Sequence, residues 1–158
     1  GLMMLTMATA EYLGVPDRLD PEQSILGGGR YLAELRERLG DQGAEPDRTW
    51  LALAAYNIGY GHLQDARKMA YEMGGNPNLW RDVKETLPLL SQRRYFGNTK
   101  HGYARGWEAV DYVQNIRRYY DVLVWNEEQQ LQQVAVNKTG SGNLHVSSAH
   151  VTVVPPLL

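Results

Sequence analysis

Cysteine is absent from this 158-residue sequence, which excludes disulfide bonds and thiol chemistry. No apolar run approaches the ~20 residues that a membrane-spanning helix needs. Charge of neither sign dominates, since 16 basic and 18 acidic residues give a net charge of −2. A chain without a basic field attracts nucleic acid weakly, so we expect no nucleic-acid partner.

Histidine is scarce, and its spacing is not that of a metal site. The four histidines, His62, His101, His145 and His150, form no His-Glu-x-x-His pair and no other recognised ligand spacing. A Gly-x-Ser-x-Gly motif is also missing, which argues against a serine nucleophile. We therefore expect neither a metal ion nor another cofactor.

The aromatic residues are 10 Tyr and 4 Trp against 1 Phe. Tyr and Trp combine apolar area with a hydrogen-bonding tip, so this mixture hints at a wet aromatic cleft of the kind that binds carbohydrate. Ordinary variation in composition is the competing explanation. Apolar residues make up 43% of the chain, which is enough for a hydrophobic core. The length predicts one domain, or one domain with a tail.

Helical periodicity dominates the chain, and no alternating pattern typical of a strand occurs before residue 133. Asp20-Pro21 is a helix-start signal, with Asp20 as the N-cap and Pro21 at the first helical position. The run Gly27-Gly28-Gly29 inside that helix requires a close approach of another segment, or a break, since each glycine costs about 1 kcal/mol relative to alanine. The predicted helices are approximately 5–13, 21–39, 47–58, 61–73, 79–87 and 103–130.

Residues 131–158 differ in composition from the rest of the chain. They contain no acidic residue and one basic residue, Lys138, and they include a partly alternating valine-rich stretch. Such a segment is typical of a flexible tail or an extended edge. The sequence therefore predicts an all-α domain over residues 1–130 and an irregular or extended tail over residues 131–158.

The stretch from Trp50 to Tyr60 carries the first candidate site. It begins apolar nearly all round, as a buried helix does, with Asp47 as a candidate N-cap. Tyr56 and Asn57 then bring a phenol and an amide to the helix end, beside Gly59, which can take the left-handed conformation that closes a helix. These two side chains are suited to a polar ligand, although capping and packing explain the same residues.

Carboxylates are the second source of candidates, because glycoside hydrolysis uses them in pairs. Of the glutamates, only Glu108 lies on a helix rich in aromatic residues, four positions from Tyr112 and on the same face. The alternative for Glu108 is an ion pair with Arg105 on an exposed helix surface. The glutamates considered are Glu11, Glu34, Glu37, Glu72, Glu85 and Glu108.

Three motifs together resemble family 1 lytic transglycosylases, which share the goose-type lysozyme fold. Gly1-Leu2-Met3 is similar to the family's Gly-Leu-Met motif, Ala55-Tyr56-Asn57 to its Ala-Tyr-Asn motif, and residues 108–113 to its Glu-Thr-x-x-Tyr-Val motif. The similarity covers about residues 1–125. Further stretches point to one particular type within the family, namely residues 1–6, 53–60, 87–92 and 102–106.

The resemblance implies an all-α, lysozyme-like fold and a reaction on peptidoglycan. Such enzymes cut the β-1,4 bond between N-acetylmuramic acid and N-acetylglucosamine without water. One buried glutamic acid protonates the bridging oxygen, and the muramoyl C6 hydroxyl closes on C1 to give a 1,6-anhydro product. The same carboxyl acts first as acid and then as base, which requires a pKa raised by burial.

By the same resemblance, a shell of side chains supports the missing glutamate and the sugar. The two tyrosines orient the glutamate or the sugar, the amide fixes the turn or binds an N-acetyl group, the carboxylate accepts hydrogen bonds from sugar, and the methionines line the floor. These residues are Met3, Met4, Tyr56, Asn57, Glu108 and Tyr112.

Two departures from the family pattern matter. Most members have Gln where this chain has Met4, so an amide contact to sugar is lost. This substitution is itself similar to the particular type within the family to which the further stretches point. The family's catalytic glutamate lies in a Glu-Ser motif ahead of Gly-Leu-Met, and this sequence begins at Gly1. We therefore expect no catalytic residue in this chain, an acid upstream of Gly1, and no turnover by this segment alone.

The resemblance also implies partners and a location. The expected partners are peptidoglycan glycan strands or muropeptides and a regulatory solute-binding-type domain ahead in the same protein, and the expected location is the periplasm, peripheral to the outer membrane. One alternative is a non-catalytic module that binds peptidoglycan or muropeptide in the same cleft. Another is a helix-turn-helix or helical interaction module made of helices 47–58 and 61–73, which the near-neutral charge disfavours.

Overall fold

A computed structural model describes residues 1–40 and 43–140, and these residues are helical with connecting turns and no strand. The all-α prediction is therefore confirmed. A 3₁₀ helix, Leu87–Ser91, lies between α5 and α6. The α-helices are α1 (Met7–Tyr12), α2 (Pro21–Arg38), α3 (Asp47–Ile58), α4 (Tyr60–Glu72), α5 (Trp80–Thr86), α6 (Arg93–Phe96) and α7 (Gly106–Gly140).

The chain divides into two compact units, Gly1–Val113 and Gln114–Leu158. The first unit contains the hydrophobic core and every candidate site residue. Its largest fully buried apolar side chains come from α2 to α5, the 3₁₀ helix and the start of α7: Leu35, Leu51, Leu63, Val83, Leu87, Leu90 and Val113. Among the described helices, none is both long enough and apolar enough to cross a membrane.

The start of α2 follows the sequence prediction, and the start of α3 does not. The Asp20 carboxylate caps α2 by accepting a hydrogen bond from the Gln23 N–H at 2.9 Å. At α3, Pro46 takes the N-cap position and Asp47 is already helical. The Asp47 carboxylate instead accepts from the Trp80 N–H at 2.8 Å, so it satisfies a donor at the start of α5.

The glycine run in α2 reflects close approach rather than a break, because α2 continues through it. A Cβ on Gly27 would lie 2.7 Å from Val15 Cγ2, and a Cβ on Gly28 would lie 2.5 Å from Met3 Cβ. Gly29 faces open space. Small residues thus form the buried face of this part of α2, while Ile25 on the same helix is 51% exposed.

Helix α7 differs from its prediction at both ends. It begins at Gly106 and continues to Gly140, so residues 131–140 are helical rather than part of an irregular tail. Leu, Gln, Ala and Lys are good helix formers, and the change in charge at residue 131 does not break a helix. Of its apolar side chains, Val113 is buried while Trp107 is 49% exposed.

The division of the chain at residue 130 stays a prediction. The extended stretch predicted near the C-terminus, together with His145 and His150, lies outside the described residues.

Candidate functional site

The candidate site begins where α3 leaves the core. Residues 51–55 are buried, with exposed fractions of 7% or less. Tyr56 follows at the edge of the core and is half-buried. The helix then closes at Gly59, whose φ of +94° lies in a region that glycine adopts without strain, as the sequence predicts.

The Tyr56 hydroxyl ties α3 to the N-terminal segment. It donates a hydrogen bond of 2.7 Å to the Met3 carbonyl, across a separation of 53 residues. The ring also packs against Tyr31 of α2, with centroids 5.4 Å apart and planes tilted by 55°. Two of the three family-like motifs therefore meet in direct contact.

Two half-buried phenols, those of Tyr56 and Tyr112, lie in this cluster. Burial, followed by the nearby Tyr112 and Tyr31, raises the pKa of Tyr56 to about 12. Burial also raises the pKa of Tyr112 above its usual value. Both hydroxyls therefore stay protonated at neutral pH, so each can act as a hydrogen-bond donor. Because the charge of an ionised Tyr112 contributes to raising the pKa of Tyr56, the third motif lies near the other two.

Helix α2 anchors the Met3–Met4 segment through contacts with Met3. The Met3 N–H donates to Ser24 Oγ at 3.0 Å, and Ser24 is fully buried. The Met3 side chain lies over Gly28, where a Cβ would leave no room for it. Met4 has a φ of +52° and is 81% exposed, so its thioether is available to a ligand.

Glu108 and Asn57 are the more accessible members of the predicted set. Glu108 Oε1 accepts from Arg105 Nη1 at 2.7 Å, so the ion pair considered as its alternative does form. Its side chain nevertheless keeps 36% of its surface exposed, which leaves room for a further partner. Asn57 is exposed and has no side-chain hydrogen bond to a described residue.

Comparison with known proteins decides the family. The transglycosylase SLT domain family matches residues 1–78. The chain is 61% identical over 140 residues to a membrane-bound lytic murein transglycosylase F from Saccharophagus degradans, and 56% identical over 155 residues to a protein of that name from Pseudomonas fluorescens. The chain belongs to the SLT transglycosylase family. The all-α, lysozyme-like fold class is thereby confirmed.

The matches cover most of this chain but a minor part of each relative. They include 87% of the chain and 28% of the Saccharophagus protein, and 98% of the chain and 31% of the Pseudomonas protein. A protein of the same name from Shewanella loihica is 60% identical over 84% of the chain and 28% of its own length. The particular type to which the sequence stretches point is this type F, as predicted.

Two residues of the SLT site were missed by the sequence reasoning. Ser24 holds the Met3 backbone, and Tyr31 packs on the Tyr56 ring. Ser24 shares its helix face with Gly27 and Gly28, three and four positions on, and this row of small residues was the available signal for a segment packed closely on α2. Nothing local to Tyr31 distinguishes it from an ordinary core-edge aromatic.

A second polar cluster was also missed. The Asp65 carboxylate, 6% exposed on α4, accepts from the backbone N–H groups of Lys100 and His101 at 3.2 and 2.8 Å. It also lies 3.0 Å from His101 Nδ1. The His101 ring in turn fits against Gly61, where a Cβ would lie 2.6 Å from Cδ2. An acidic residue on the buried face of α4 was the signal, because such a group needs partners.

Tyr56→Phe is expected to lower the free energy of unfolding by about 1 kcal/mol, because it removes the bond to the Met3 carbonyl. Wild-type tyrosinate absorbance should include one group ionising near pH 12, and the variant should lack it. Since the folded pKa exceeds the usual value of 10.0, stability from this group is complete below pH 10 and lost as pH rises toward 12.

The matched control is Tyr71→Phe, since Tyr71 is 70% exposed on α4. This control should leave both stability and the late ionisation unchanged. Loss of the late ionisation in the control, or its retention in Tyr56→Phe, contradicts the assignment.

Proposed function

We propose that the protein to which this SLT domain belongs is a peptidoglycan lytic transglycosylase. It would cleave the β-1,4 bond between N-acetylmuramic acid and N-acetylglucosamine and leave a 1,6-anhydromuramoyl end. The observation that carries the proposal is the convergence of the three family motifs, marked by the hydrogen bond from Tyr56 to the Met3 carbonyl with Tyr112 beside it.

Bond cleavage in this reaction needs one carboxyl that gives a proton to the bridging oxygen and then takes one from the muramoyl C6 hydroxyl. By the family pattern that carboxyl is a glutamate preceding Gly-Leu-Met, so we assign it to no residue of this chain. The protonated phenol of Tyr112 is suited to orient it, because it can donate to a carboxylate but carries no charge that competes with it. The Tyr56 hydroxyl gives its one donor to the Met3 carbonyl and so positions the Gly-Leu-Met segment instead.

The sugar-binding role falls to the exposed members of the site. Glu108, held by Arg105, can accept hydrogen bonds from hydroxyl or N-acetyl N–H groups, and Asn57 can both donate and accept. Met4 offers an apolar, polarizable side chain to a sugar face. This division leaves orientation of the acid to the half-buried Tyr112 phenol and recognition of the glycan to the exposed groups.

Digestion of purified murein sacculi tests the proposal. The chain preceded by its upstream segment should release 1,6-anhydromuropeptides, and the 158-residue chain alone should release none. Product without the anhydro ring would mean hydrolysis instead. Binding of glycan without any product from the longer protein would favour the non-catalytic module.

In the chain preceded by its upstream segment, Glu108→Gln should reduce the rate of anhydro product release about tenfold, because a charge-assisted hydrogen bond to sugar would become a neutral one. The matched control is Glu85→Gln, an exposed residue of α5 outside the site, which should leave the rate unchanged. An equal effect of both substitutions would remove Glu108 from the proposed site. The rate is measured by chromatography of the released muropeptides.

We further propose a cell-envelope location, in the periplasm at the periphery of the outer membrane, and a solute-binding-type domain in the same protein. The support is that the relatives are named membrane-bound and that the matched region is 28% and 31% of their length. Fractionation of envelope membranes, followed by detection of this chain, tests the location.

A further inference from the structure

A cavity of about 580 Å³ lies between α4 and the segment around α6 that leads to His101. Its lining combines aromatic, amide and charged side chains, among them Tyr95, Gln64 and Asn98. None of the motif residues of the SLT site lines it. The cavity is therefore a separate polar surface that the proposed reaction does not use.

The two carboxylates in the cavity wall already have partners. Asp65 accepts two backbone N–H groups and lies within hydrogen-bond distance of His101 Nδ1. Glu72 pairs with Lys68, one turn earlier on α4, at 3.5 Å. Neither acid is free to pair with the remaining cations of the wall.

Two cations of the wall have no carboxylate partner among the described side chains. They are Arg94 on α6 and Lys100 in the following loop. The Arg94 guanidinium lies 4.5 Å from the centroid of the Tyr95 ring, which holds its planar face in place and leaves its N–H edge available. The backbone of Lys100 is anchored by Asp65, so the base of its side chain is positioned too.

We propose that this cavity binds a carboxylate-bearing peptide, the class of ligand that the acidic peptide stems of murein supply. The proposal rests on the proposed function for its choice of source. Two unpaired cations beside amides and a tyrosine suit a carboxylate and the peptide groups next to it. A neutral glycan gains nothing from two cations, so the charge favours the peptide over the sugar.

Titration of the whole chain with defined probes tests this proposal. The probes are a murein stem tetrapeptide, the same peptide with its carboxyls amidated, N-acetylmuramic acid and inorganic phosphate. The tetrapeptide should bind, its affinity should fall as salt is added, and the amidated peptide should bind at least about tenfold more weakly. N-acetylmuramic acid distinguishes a sugar-borne carboxylate from a peptide-borne one.

Arg94→Gln and Lys100→Gln should each weaken tetrapeptide binding about fivefold. Arg93→Gln is the matched control, because Arg93 is an exposed neighbour on α6 that does not line the cavity, and it should change binding less than about twofold. Two independent variants keep the test decisive if one of them fails to fold, which circular dichroism reports.

Several results would overturn the proposal: no tetrapeptide binding, equal binding of the amidated peptide, binding of phosphate or N-acetylmuramic acid as tight as that of the tetrapeptide, or an equal effect of Arg93→Gln. Murein digestion is scored separately. Anhydro product from the longer protein without tetrapeptide binding would reject this cavity as a peptide site and leave the transglycosylase proposal standing. Tetrapeptide binding without product from the longer protein would reject the transglycosylase proposal and leave the cavity proposal standing.

Discussion

Gly106→Ala is expected to destabilise the first unit by about 3 kcal/mol or more. A Cβ at this position would lie 1.8 Å from the Leu87 carbonyl oxygen and 2.3 Å from the carbonyl carbon. Both are backbone atoms at the start of the 3₁₀ helix, so no side-chain rotation relieves the clash. The first turn of α7 must therefore move, and Glu108 moves with it.

Chemical denaturation of the purified variant measures this effect, and Gly29→Ala is the matched control. Gly29 also lies inside an α-helix, but nothing stands within 4 Å of its ideal Cβ. Alanine should therefore stabilise the chain there by about 1 kcal/mol through helix propensity. Two substitutions of the same kind should thus act in opposite directions. Stabilisation by both would show that α7 does not approach Leu87 this closely.

Asp65→Ala is expected to destabilise the chain by about 2–4 kcal/mol. The substitution leaves the backbone N–H groups of Lys100 and His101 and the His101 ring without their acceptor, in a part-buried setting. The loop that these bonds hold leads from α6 toward α7, so we expect its amide protons to exchange faster.

Asp65→Asn is the informative second variant. An amide keeps one acceptor oxygen, so it should retain part of the stability that alanine loses. Glu72→Gln, an exposed change on the same helix, should cost less than about 1 kcal/mol. Denaturation and hydrogen exchange measure all three. If Asp65→Ala costs no more than Glu72→Gln, water replaces the carboxylate and the anchor is not a structural one.

Local pattern was a good guide to where helices begin and end, as long as the deciding group was itself local. The Asp20 cap and the closing Gly59 are examples, since each acts on its own helix. The cap predicted at Asp47 was wrong because its carboxylate accepts from the start of α5, 33 residues away. The residues around Asp47 in sequence give no sign of that distant partner. The predicted end of α7 was wrong because the change in charge at residue 131 does not change the backbone's preference for a helix.

For the candidate site too, the sequence identified residues but not the contacts between them. Motif order alone pointed to Tyr56, Glu108 and the family, and the comparisons confirm the family. The contacts within the site were beyond reach of the sequence, because the bond from Tyr56 to Met3 spans 53 residues and that from Met3 to Ser24 spans 21. The roles assigned to these residues remain predictions.

The sequence by itself determined the helical class, the Asp20 cap, the closing Gly59 and the family, because periodicity, capping chemistry and short motifs are all local properties of the chain. Only the tertiary structure decided which glycines lack room for a side chain, which acid accepts hydrogen bonds from a distant loop, and which cations have no carboxylate partner among the described residues. Gly28, Gly29 and Gly106 look alike in sequence, yet a Cβ meets a side chain at the first, nothing at the second and a carbonyl at the third. Whether an atom has room or a charge has a partner depends on distant segments, and only folding brings those segments together.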